Sequence, residues 1–406
     1  MSLITAAKNQ LDCLLPHAAQ AEKALREEAW LRMETLGLPN RRTETWKYSS
    51  LAALDKMELP LQSGVGGQLP ALWTAWLDAQ KKDFDVAVII NGRYQPAASL
   101  VSPQVKIGVS SLSSFSGEDG FSSLSLAVAE PGLRVEVPAG VKVIRPLLVV
   151  KYQDHASKWI STFNEVVIGA NAELRVAEIF AGGPVKYLRT DLNALRLGEN
   201  ASLQWLRHQR ESLEAYHFNE TQVHMPQHSR LHFTQVNRGA RWLRGHLLVD
   251  INGAGAEADV QGLTFLAGEQ HNDQRVVLSH RAGQTTSAQL FKGIFKDRSR
   301  GALNGKIYIA QDAQKVTSRQ YNHNLLLSPG AEVDTKPELE VYADDVKANH
   351  GATVGRLDQE KMFYLQSRGL KALEAEQLLS EAFACDIFMK IPDPSLRRLA
   401  EADDGP

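Results

Sequence analysis

GANAEL at residues 169–174 is the first of four similar corners that decide how this chain folds; the others are GENASL at 198–203, PQHSRL at 226–231 and GAGAEA at 253–258. Aligned on their fourth residues, consecutive corners lie 29, 28 and 27 residues apart, with short β-branched runs between them. Such a period is typical of stacked β coils, in which each turn covers the apolar face of the previous one. We therefore predict a mainly β protein built on a parallel β-solenoid, with an antiparallel sandwich as the alternative. GAEV at 330–333 is interpreted as a later copy of the same corner.

Helical patterns flank the predicted solenoid on both sides. Towards the N-terminus, Leu3–Leu15 and Ala18–Leu36 have apolar residues at helical spacing and end at Pro and Gly signals. Towards the C-terminus, Asp358 is a good N-cap for a helix, a second helix is predicted over Lys371–Phe388, and Asp393 precedes a proline that opens a third. Both ends of the solenoid are therefore expected to carry helices.

The remaining segments divide the chain more weakly. Asp85–Ile90 reads as a buried strand, and the serine-rich segment 110–131 is interpreted as a surface connection. We predict an N-terminal helical region with a connecting segment over 1–131, a β-helical core over 132–357 and a C-terminal helical domain over 358–406.

A polar and aromatic loop, NRRTETWKYSSL, follows the N-terminal helices at residues 40–51. It contains Arg42, Glu44, Trp46 and Tyr48, which could form a binding site or could fold back onto the protein. Loops usually run over the surface of the domain that they connect. We favour the structural interpretation.

Composition excludes several classes of function. The chain has 45 basic and 47 acidic side chains, so no global field favours nucleic acid or an anionic membrane. No run of about 18 apolar residues could span a bilayer, and the first residues lack the order of a signal peptide, so we expect a cytoplasmic location. The only cysteines, Cys13 and Cys385, are too few for a disulfide framework or a thiolate cage for zinc or an iron–sulfur cluster.

Two groups of histidines deserve a test as metal or acid–base sites. His224, His228 and His232 would align on a helix, but Pro226 and the surrounding alternation predict strand, turn and strand, so a metal site is disfavoured. HNDQRVVLSH at 271–280 offers His271, Asp273 and His280, which suit metal binding or general base chemistry. Buried polar side chains in a solenoid commonly satisfy turns, and that interpretation is favoured.

The chain lacks the sequence motifs of the common catalytic classes. It contains no GxxxxGK[ST] phosphate loop, GxSxG elbow, HExxH pair or dinucleotide fingerprint. Asp344 and Asp345 are adjacent, so on a strand their side chains would point to opposite faces and could not form a glycosidase pair. We interpret them as capping or turn residues.

His350 has a more specific context than the other histidines. An alternating run leads to a predicted polar tip with His350, flanked by Asn349 and Gly351, and a helix follows. A neutral imidazole is a common ligand for iron or zinc. From residue chemistry alone, a structural histidine and a ligand are equally good interpretations.

The segment from 287 to 370, which contains HGATVG at 350–355, resembles the shared C-terminal core of the SufB/SufD family of iron–sulfur cluster assembly proteins. The N-terminal helices and the loop at 40–51 resemble the SufD branch of that family. The resemblance implies a right-handed parallel β-helix between helical ends. It also implies a cytoplasmic complex in which the chain pairs with its paralogue SufB, or with itself when alone, and binds the ATPase SufC.

The family resemblance further implies roles for particular residues. His350 matches a histidine implicated in nascent cluster formation, so iron or an Fe–S cluster would be shared transiently with SufB, while ATP would be bound by SufC. No cofactor would be held tightly by this chain alone, and no turnover of its own is expected. The SufC-binding helices match residues 358–388, where the contact candidates are Phe363, Tyr364, Arg368 and Leu379; for Phe363, core packing is favoured.

The sequence departs from the family pattern at one position. Many family members have cysteine two residues before this histidine, whereas this chain has Ala348. Because cluster scaffolds need thiolates, an auxiliary ligand is a better interpretation of His350 than an autonomous scaffold.

Two alternatives belong to other classes. A β-helix enzyme acting on polysaccharide is possible, although such enzymes present several charged groups in one groove and are commonly exported. A self-assembling structural solenoid would need uncapped apolar ends, which the predicted terminal helices disfavour.

Overall fold

The structure is a computed structural model that describes residues 2–55, 57, 67–112, 115–154 and 158–402. Its described α-helices are α1 (Leu3–Leu14), α2 (Gln20–Leu36), α3 (Ala52–Asp55), α4 (Ala71–Gln80), α5 (Gly120–Ala127), α6 (Gln359–Ser367), α7 (Ala372–Met389) and α8 (Pro394–Glu401). Its described strands are β1 (Asp85–Ile90), β2 (Arg93–Tyr94), β3 (Lys106–Val109), β4 (Glu130–Val137), β5 (Leu147–Gln153), β6 (Trp159–Ile168), β7 (Glu173–Gly182), β8 (Leu188–Leu197), β9 (Ser202–Arg210), β10 (Tyr216–Met225), β11 (Arg230–Asn237), β12 (Trp242–Ile251), β13 (Glu257–Leu266), β14 (His271–His280), β15 (Thr286–Phe295), β16 (Arg300–Ile309), β17 (Val316–Leu326), β18 (Glu332–Val341) and β19 (Val346–Gly355).

The strands coil into a parallel β-solenoid of about 8 turns. Sheet I contains β1, β2 and the odd-numbered strands from β5 to β19, and sheet II contains β3 and the even-numbered strands from β4 to β18. Each full turn contributes one strand to each sheet, and successive turns pair in parallel. The predicted mainly β solenoid with helices at both termini is confirmed, and the antiparallel sandwich is wrong.

The four corners quoted from the sequence stack directly on one another. Glu173, Ser202, Arg230 and Glu257 are register partners on consecutive strands of sheet I, so each corner lies above the previous one. The residue two places before each of them has a left-handed backbone conformation: Asn171 (φ 58°), Asn200 (φ 56°), His228 (φ 54°) and Gly255 (φ 71°). Asn and Gly tolerate this conformation best, which explains the small-residue signal. His228 thus has a backbone role at a turn.

GAEV at 330–333 belongs to a different corner. Glu332 pairs with Arg300 on sheet II, so this segment joins sheet I to sheet II, whereas the four quoted corners join sheet II to sheet I. The interpretation of GAEV as a copy of the same corner is therefore wrong. Both kinds of corner use small residues, and composition alone cannot tell them apart.

The interior of the solenoid is apolar along one half and polar along the other. Near the stacked corners it is filled by side chains such as Val223, Met225, Leu231 and Phe233, all at most 3% exposed. Elsewhere in the interior, Lys151 Nζ lies 2.9 Å from both Glu178 Oε1 and Asp191 Oδ1.

The buried charges continue into the next coils. Arg207 Nε donates to Glu178 Oε2 at 2.7 Å, and Arg189 Nε lies 3.2 Å from Glu211 Oε1. Burial alone would raise the pKa of Glu211, but His217 and Arg189 outweigh it and lower that pKa to about 2. The interior charges are therefore paired, as buried charges must be.

Helices α1 and α2 pack on α5, which lies on the outer face of sheet II, and so the serine-rich segment is buried. Helix α5 is buried along its whole length, capped by Asp119, whose Oδ1 accepts from the backbone N–H groups of Phe121 and Ser122. Arg26 donates to the carbonyl oxygens of Ala127 and Ala129 at 2.9 and 2.8 Å. The prediction of a surface connection over 110–131 is wrong for its described part, where local bonds satisfy the hydroxyls of Ser122 and Ser125. Residues 113–114 lie outside the described residues.

Strands before residue 132 also join the sheets. The predicted strand Asp85–Ile90 is confirmed as β1, which pairs in parallel with β5, and β3 pairs with β4. The sheets therefore extend upstream of the predicted core. The division at residues 131 and 357 stays a prediction.

Helices α7 and α8 lie against the outer face of sheet I, and α6 contacts α7. Asp358 and Asp393 cap α6 and α8 as predicted, and Gly369 after α6 has a φ of 99°. Helix α7 is held on β15 by Lys292, whose Nζ lies 2.6 Å from Asp386 Oδ2, while α8 packs beside β7 and β9. No described helix combines the length and the apolar character that a bilayer crossing needs.

Candidate functional site

The C-terminal end of the solenoid is open. β18 and β19 are the last strands of their sheets, and each has a strand partner on one side only within the described residues. Helix α7 packs on β13 and β15, and α6 has no buried residue, so the described helices lie beside this end and do not cover it. The predicted C-terminal helices are present, but they leave the edges of the last coil open. An exposed pair of sheet edges is a template for pairing with another chain.

His350 lies in the middle of β19, at this open end. It pairs in register with Gln320 of β17, and β19 continues in regular pairing on both sides of it. The predicted polar tip is therefore wrong: the histidine is part of an edge strand. Because register partners in a parallel sheet point to the same side, and Gln320 is an interior residue at 2% exposure, His350 stands at the mouth of the interior.

Ala348 shares the inner face of β19 with His350. Residues two apart on a strand point to the same side, and Ala348 pairs with the buried Ser318. A cysteine at this position would therefore stand beside the imidazole. In this chain the position holds a methyl group. His350 is therefore the one side chain on the described inner face of β19 that could bind a metal ion.

The helices that follow His350 present an exposed apolar surface. Phe363 and Tyr364 on α6 are 73% and 56% exposed, and Leu379 lines the groove between α6 and α7. The Arg368 guanidinium lies 5.2 Å from the centre of the Tyr364 ring. The preference for core packing of Phe363 is wrong, because α6 projects from the solenoid. We call Phe363, Tyr364, Arg368 and Leu379 the platform.

The alternative histidine groups have structural roles. His224 Nδ1 lies 3.0 Å from Asn252 Nδ2, and His232 Nδ1 lies 3.4 Å from Asp259 Oδ2, on opposite sides of the corner that contains His228. Across the described ranges, no three His, Cys, Asp or Glu residues are grouped so that they could hold a metal ion. The predicted strand, turn and strand is confirmed, since His224 lies on β10, His228 in the corner and His232 on β11.

His271 and Asp273 anchor the loop at 40–51. Ser49 Oγ donates to Asp273 Oδ2 at 2.6 Å and lies 3.3 Å from His271 Nε2. Trp46 is fully buried, donates from Nε1 to Asp119 at 2.5 Å, and has the guanidinium of Arg244 4.0 Å from its ring centre. The favoured structural interpretation of both segments is confirmed.

His280 and the paired aspartates also belong to the framework. Burial lowers the pKa of His280 to about 4, and its ring bonds to Thr285 and Ser287 at 2.7 and 2.8 Å. Asp345 lies in the corner before β19, where its carbonyl accepts from the Lys315 N–H at 2.6 Å. The prediction of turn residues there is confirmed.

A set of buried titratable groups beneath α5 went unpredicted. Glu220 is fully buried, and burial, followed by the charges of Glu118 and Asp119, raises its pKa to about 8. The buried His246 lies 3.8 Å from it, measured between Nδ1 and Oε2, and burial lowers the pKa of that imidazole well below its usual value. The available sequence signal was the presence of ionisable residues, Glu220 and His246, inside segments with the alternation of strands.

Comparisons with known proteins bear on the whole chain. The family model described as SUF system FeS cluster assembly, SufBD core domain, matches residues 152–383, more than half of the chain. The chain is 30% identical to the iron–sulfur cluster assembly protein SufD of Escherichia coli, over 91% of this chain and 89% of that protein. It is also 30% identical to an iron–sulfur cluster assembly SufBD family protein of Synechocystis, over 89% of this chain and 86% of that protein.

Proposed function

The chain belongs to the SufBD family of iron–sulfur cluster assembly proteins, and from this premise we propose that it is a non-catalytic subunit of a cytoplasmic SufBCD-type complex. It pairs with the paralogue SufB, or with itself when SufB is absent, and it binds the ATPase SufC. Iron or a nascent cluster is the cargo that it helps to load. The observation that carries the proposal is the similarity to E. coli SufD over nearly the full length of both chains.

The open edges of β18 and β19 support the pairing with SufB. Each edge offers main-chain donors and acceptors that a strand of another chain can satisfy, as in β-augmentation. Val341 and Val354 are 37% and 49% exposed on these strands, so apolar contact would accompany the main-chain bonds. A paralogue with the same fold presents edges of the same kind.

The position of His350 supports a role as an auxiliary ligand at that junction. Its imidazole stands at the exposed mouth, and a neutral imidazole binds iron through one ring nitrogen. Cys13 and Cys385 lie on α1 and α7, not on the last coils, so the thiolates that a cluster needs would come from the partner. The site is therefore shared between two chains.

The platform supports the binding of SufC. Its exposed aromatic and arginine side chains are the types enriched in protein interfaces. Lys292 and Lys296 hold α7 on β15 through Asp386 and Glu376, at 2.6 and 2.9 Å. Motion of the platform during the ATPase cycle would thus act on β15, and through its parallel neighbours on β17 and β19.

The polysaccharide enzyme is not supported, because both relatives named above are assembly proteins. Affinity purification of the tagged chain from its native lysate tests the proposal. An ABC-type ATPase and a paralogue of this chain should co-purify. Recovery of the folded chain alone, or as a large homopolymer, would contradict the proposal and favour the enzyme or the structural solenoid respectively.

A further inference from the structure

One column of interior side chains runs through sheet I and ends at His350. In register order it contains Leu147, Val176, Trp205, Phe233, Val260, Gln289, Gln320 and His350. The first five residues are apolar and at most 5% exposed. From Leu147 onward the column becomes polar only in the two turns directly beneath the histidine, where the two glutamines are 1% and 2% exposed; at its far end the charged Asp85 of β1 pairs with Leu147.

The amide of Gln320 is fixed but only half satisfied. Its Nε2 donates to the carbonyl oxygen of Gly305, across the interior on sheet II, at 2.9 Å. A Cβ on residue 305 would clash with this amide, so the glycine makes room for it. The buried Oε1 of Gln320 has no hydrogen-bond partner among the described residues. A buried acceptor without a donor is costly and calls for a physical reason.

We propose that Gln320 is a positioning residue for His350, with its Oε1 accepting the N–H of the imidazole and directing the lone pair of the other ring nitrogen out of the mouth. This inference rests on the proposed function, in which His350 is an auxiliary ligand for iron or a nascent cluster. A neutral imidazole has one N–H and one lone pair, so fixing the N–H fixes the atom that can bind a metal. Histidines that bind metals almost always donate their second ring N–H to an oxygen acceptor.

The geometry of β19 suits this bond. Neighbouring strands lie about 4.8 Å apart, so the exposed ring reaches the acceptor by side-chain rotation. The residues on either side of His350 on the inner face are Ala348 and Ala352, which leave room for the ring to turn. The proposed bond gives the buried Oε1 its missing donor.

The test is the tautomer of His350 in the full chain without iron or partners. Long-range ¹H–¹⁵N correlation spectra of histidine-labelled protein, recorded at about pH 8.5 where an ordinary imidazole is neutral, report which nitrogen has the proton. The signals of His350 are identified by their absence from the spectrum of His350→Ala. Gln320→Met removes the acceptor at nearly equal length and should change the tautomer ratio about fivefold, the effect of one ordinary hydrogen bond.

Gln289→Met is the matched control, since it removes a buried amide from the same column one turn further from His350. It should leave the tautomer ratio unchanged. Gln320→Leu serves as a second variant if Gln320→Met does not fold. An unchanged ratio in a folded Gln320 variant, or an equal change in Gln289→Met, would overturn the proposal.

The two proposals fail separately. If Gln320→Met changes the tautomer ratio while His350→Ala leaves cluster assembly unchanged, the positioning stands and the proposed function of the histidine fails. If His350→Ala prevents cluster assembly but the tautomer ratio is unchanged in a folded Gln320 variant, only the positioning role of Gln320 is wrong.

Discussion

Lys151 and Asp191 form an ion pair across the interior of the solenoid, with Nζ and Oδ1 2.9 Å apart. Lys151 belongs to β5 of sheet I and Asp191 to β8 of sheet II, so the pair ties the two sheets together. The same ammonium group also pairs with Glu178 at 2.9 Å. One buried ammonium group thus forms ion pairs with two buried carboxylates.

Replacing Lys151 with methionine should destabilise the fold by about 3–5 kcal/mol, because two carboxylates would lose a buried partner. The measurement is equilibrium urea unfolding of the full chain. Lys142→Met is the control, since Lys142 and Glu173 form an ion pair in which both side chains are largely exposed. The control should cost less than about 1 kcal/mol. Equal effects in the two variants would mean that the interior network contributes little.

Glu220 should make stability fall as the pH rises. Its pKa is about 8 in the folded chain and near 4.5 when unperturbed, so between these values the folded state keeps a proton that the unfolded chain releases. Glu220→Gln removes this titration and keeps an acceptor for the Gln222 amide, which donates to Glu220 Oε1 at 2.7 Å. From pH 6.5 to 8 the variant should lose about 1–2 kcal/mol less stability than the wild type.

The exposed Glu214 provides the control for this pH dependence. Glu214→Gln should follow the wild-type unfolding curve at every pH. Comparing each variant with the wild type cancels the titration of the histidines. A Glu220→Gln profile parallel to the wild-type profile would show that Glu220 is ionised in the folded protein.

His350→Ala should leave the purified complex intact and reduce its iron or cluster content about tenfold or more, because the shared site would lose a ligand. Cluster content is measured by visible absorbance and iron analysis after reconstitution with SufB and SufC. His323→Ala is the control, since His323 lies on the neighbouring strand β17 but on the outer face. A normal cluster yield in the His350 variant would exclude the ligand role.

Phe363→Glu should weaken SufC binding by at least about tenfold without changing the melting temperature, since this side chain is 73% exposed. Leu379→Glu should weaken binding as well, with some loss of stability, because Leu379 is half-buried between α6 and α7. Leu213→Glu, at a residue 59% exposed in the loop between β9 and β10, is the control. Unchanged affinity of both folded platform variants for SufC would place the contact elsewhere.

Local signals made much of the fold predictable. A corner residue with a left-handed backbone conformation recurs in every turn. Residues such as Asn200 and Gly255 make it recognisable in the sequence, because few other residue types tolerate a positive φ. Helix caps such as Asp358 and Asp393 are equally local, since the capping bond joins residues two or three apart.

Predictions that depended on the surroundings of a segment were less successful. The serine-rich segment was predicted to lie on the surface because serine is usually exposed, yet bonds inside α5, such as Ser125 Oγ to the Phe121 carbonyl at 2.8 Å, let it be buried. Phe363 was expected in the core because phenylalanine usually is, yet α6 projects beyond the sheets.

The spacing of the corners and the local residue chemistry were enough to predict the period of the coils and the helices at both ends, and the family resemblance at HGATVG singled out His350 as the candidate ligand. Which face of each strand points inward became clear only from the three-dimensional pairing of the strands. The inward orientation places Lys151 opposite Asp191 and Gln320 beneath His350. The order of the strands leaves β19 as an open edge. The physical reason is that strand register joins residues about thirty positions apart, and a shift of one residue would turn every side chain to the opposite face.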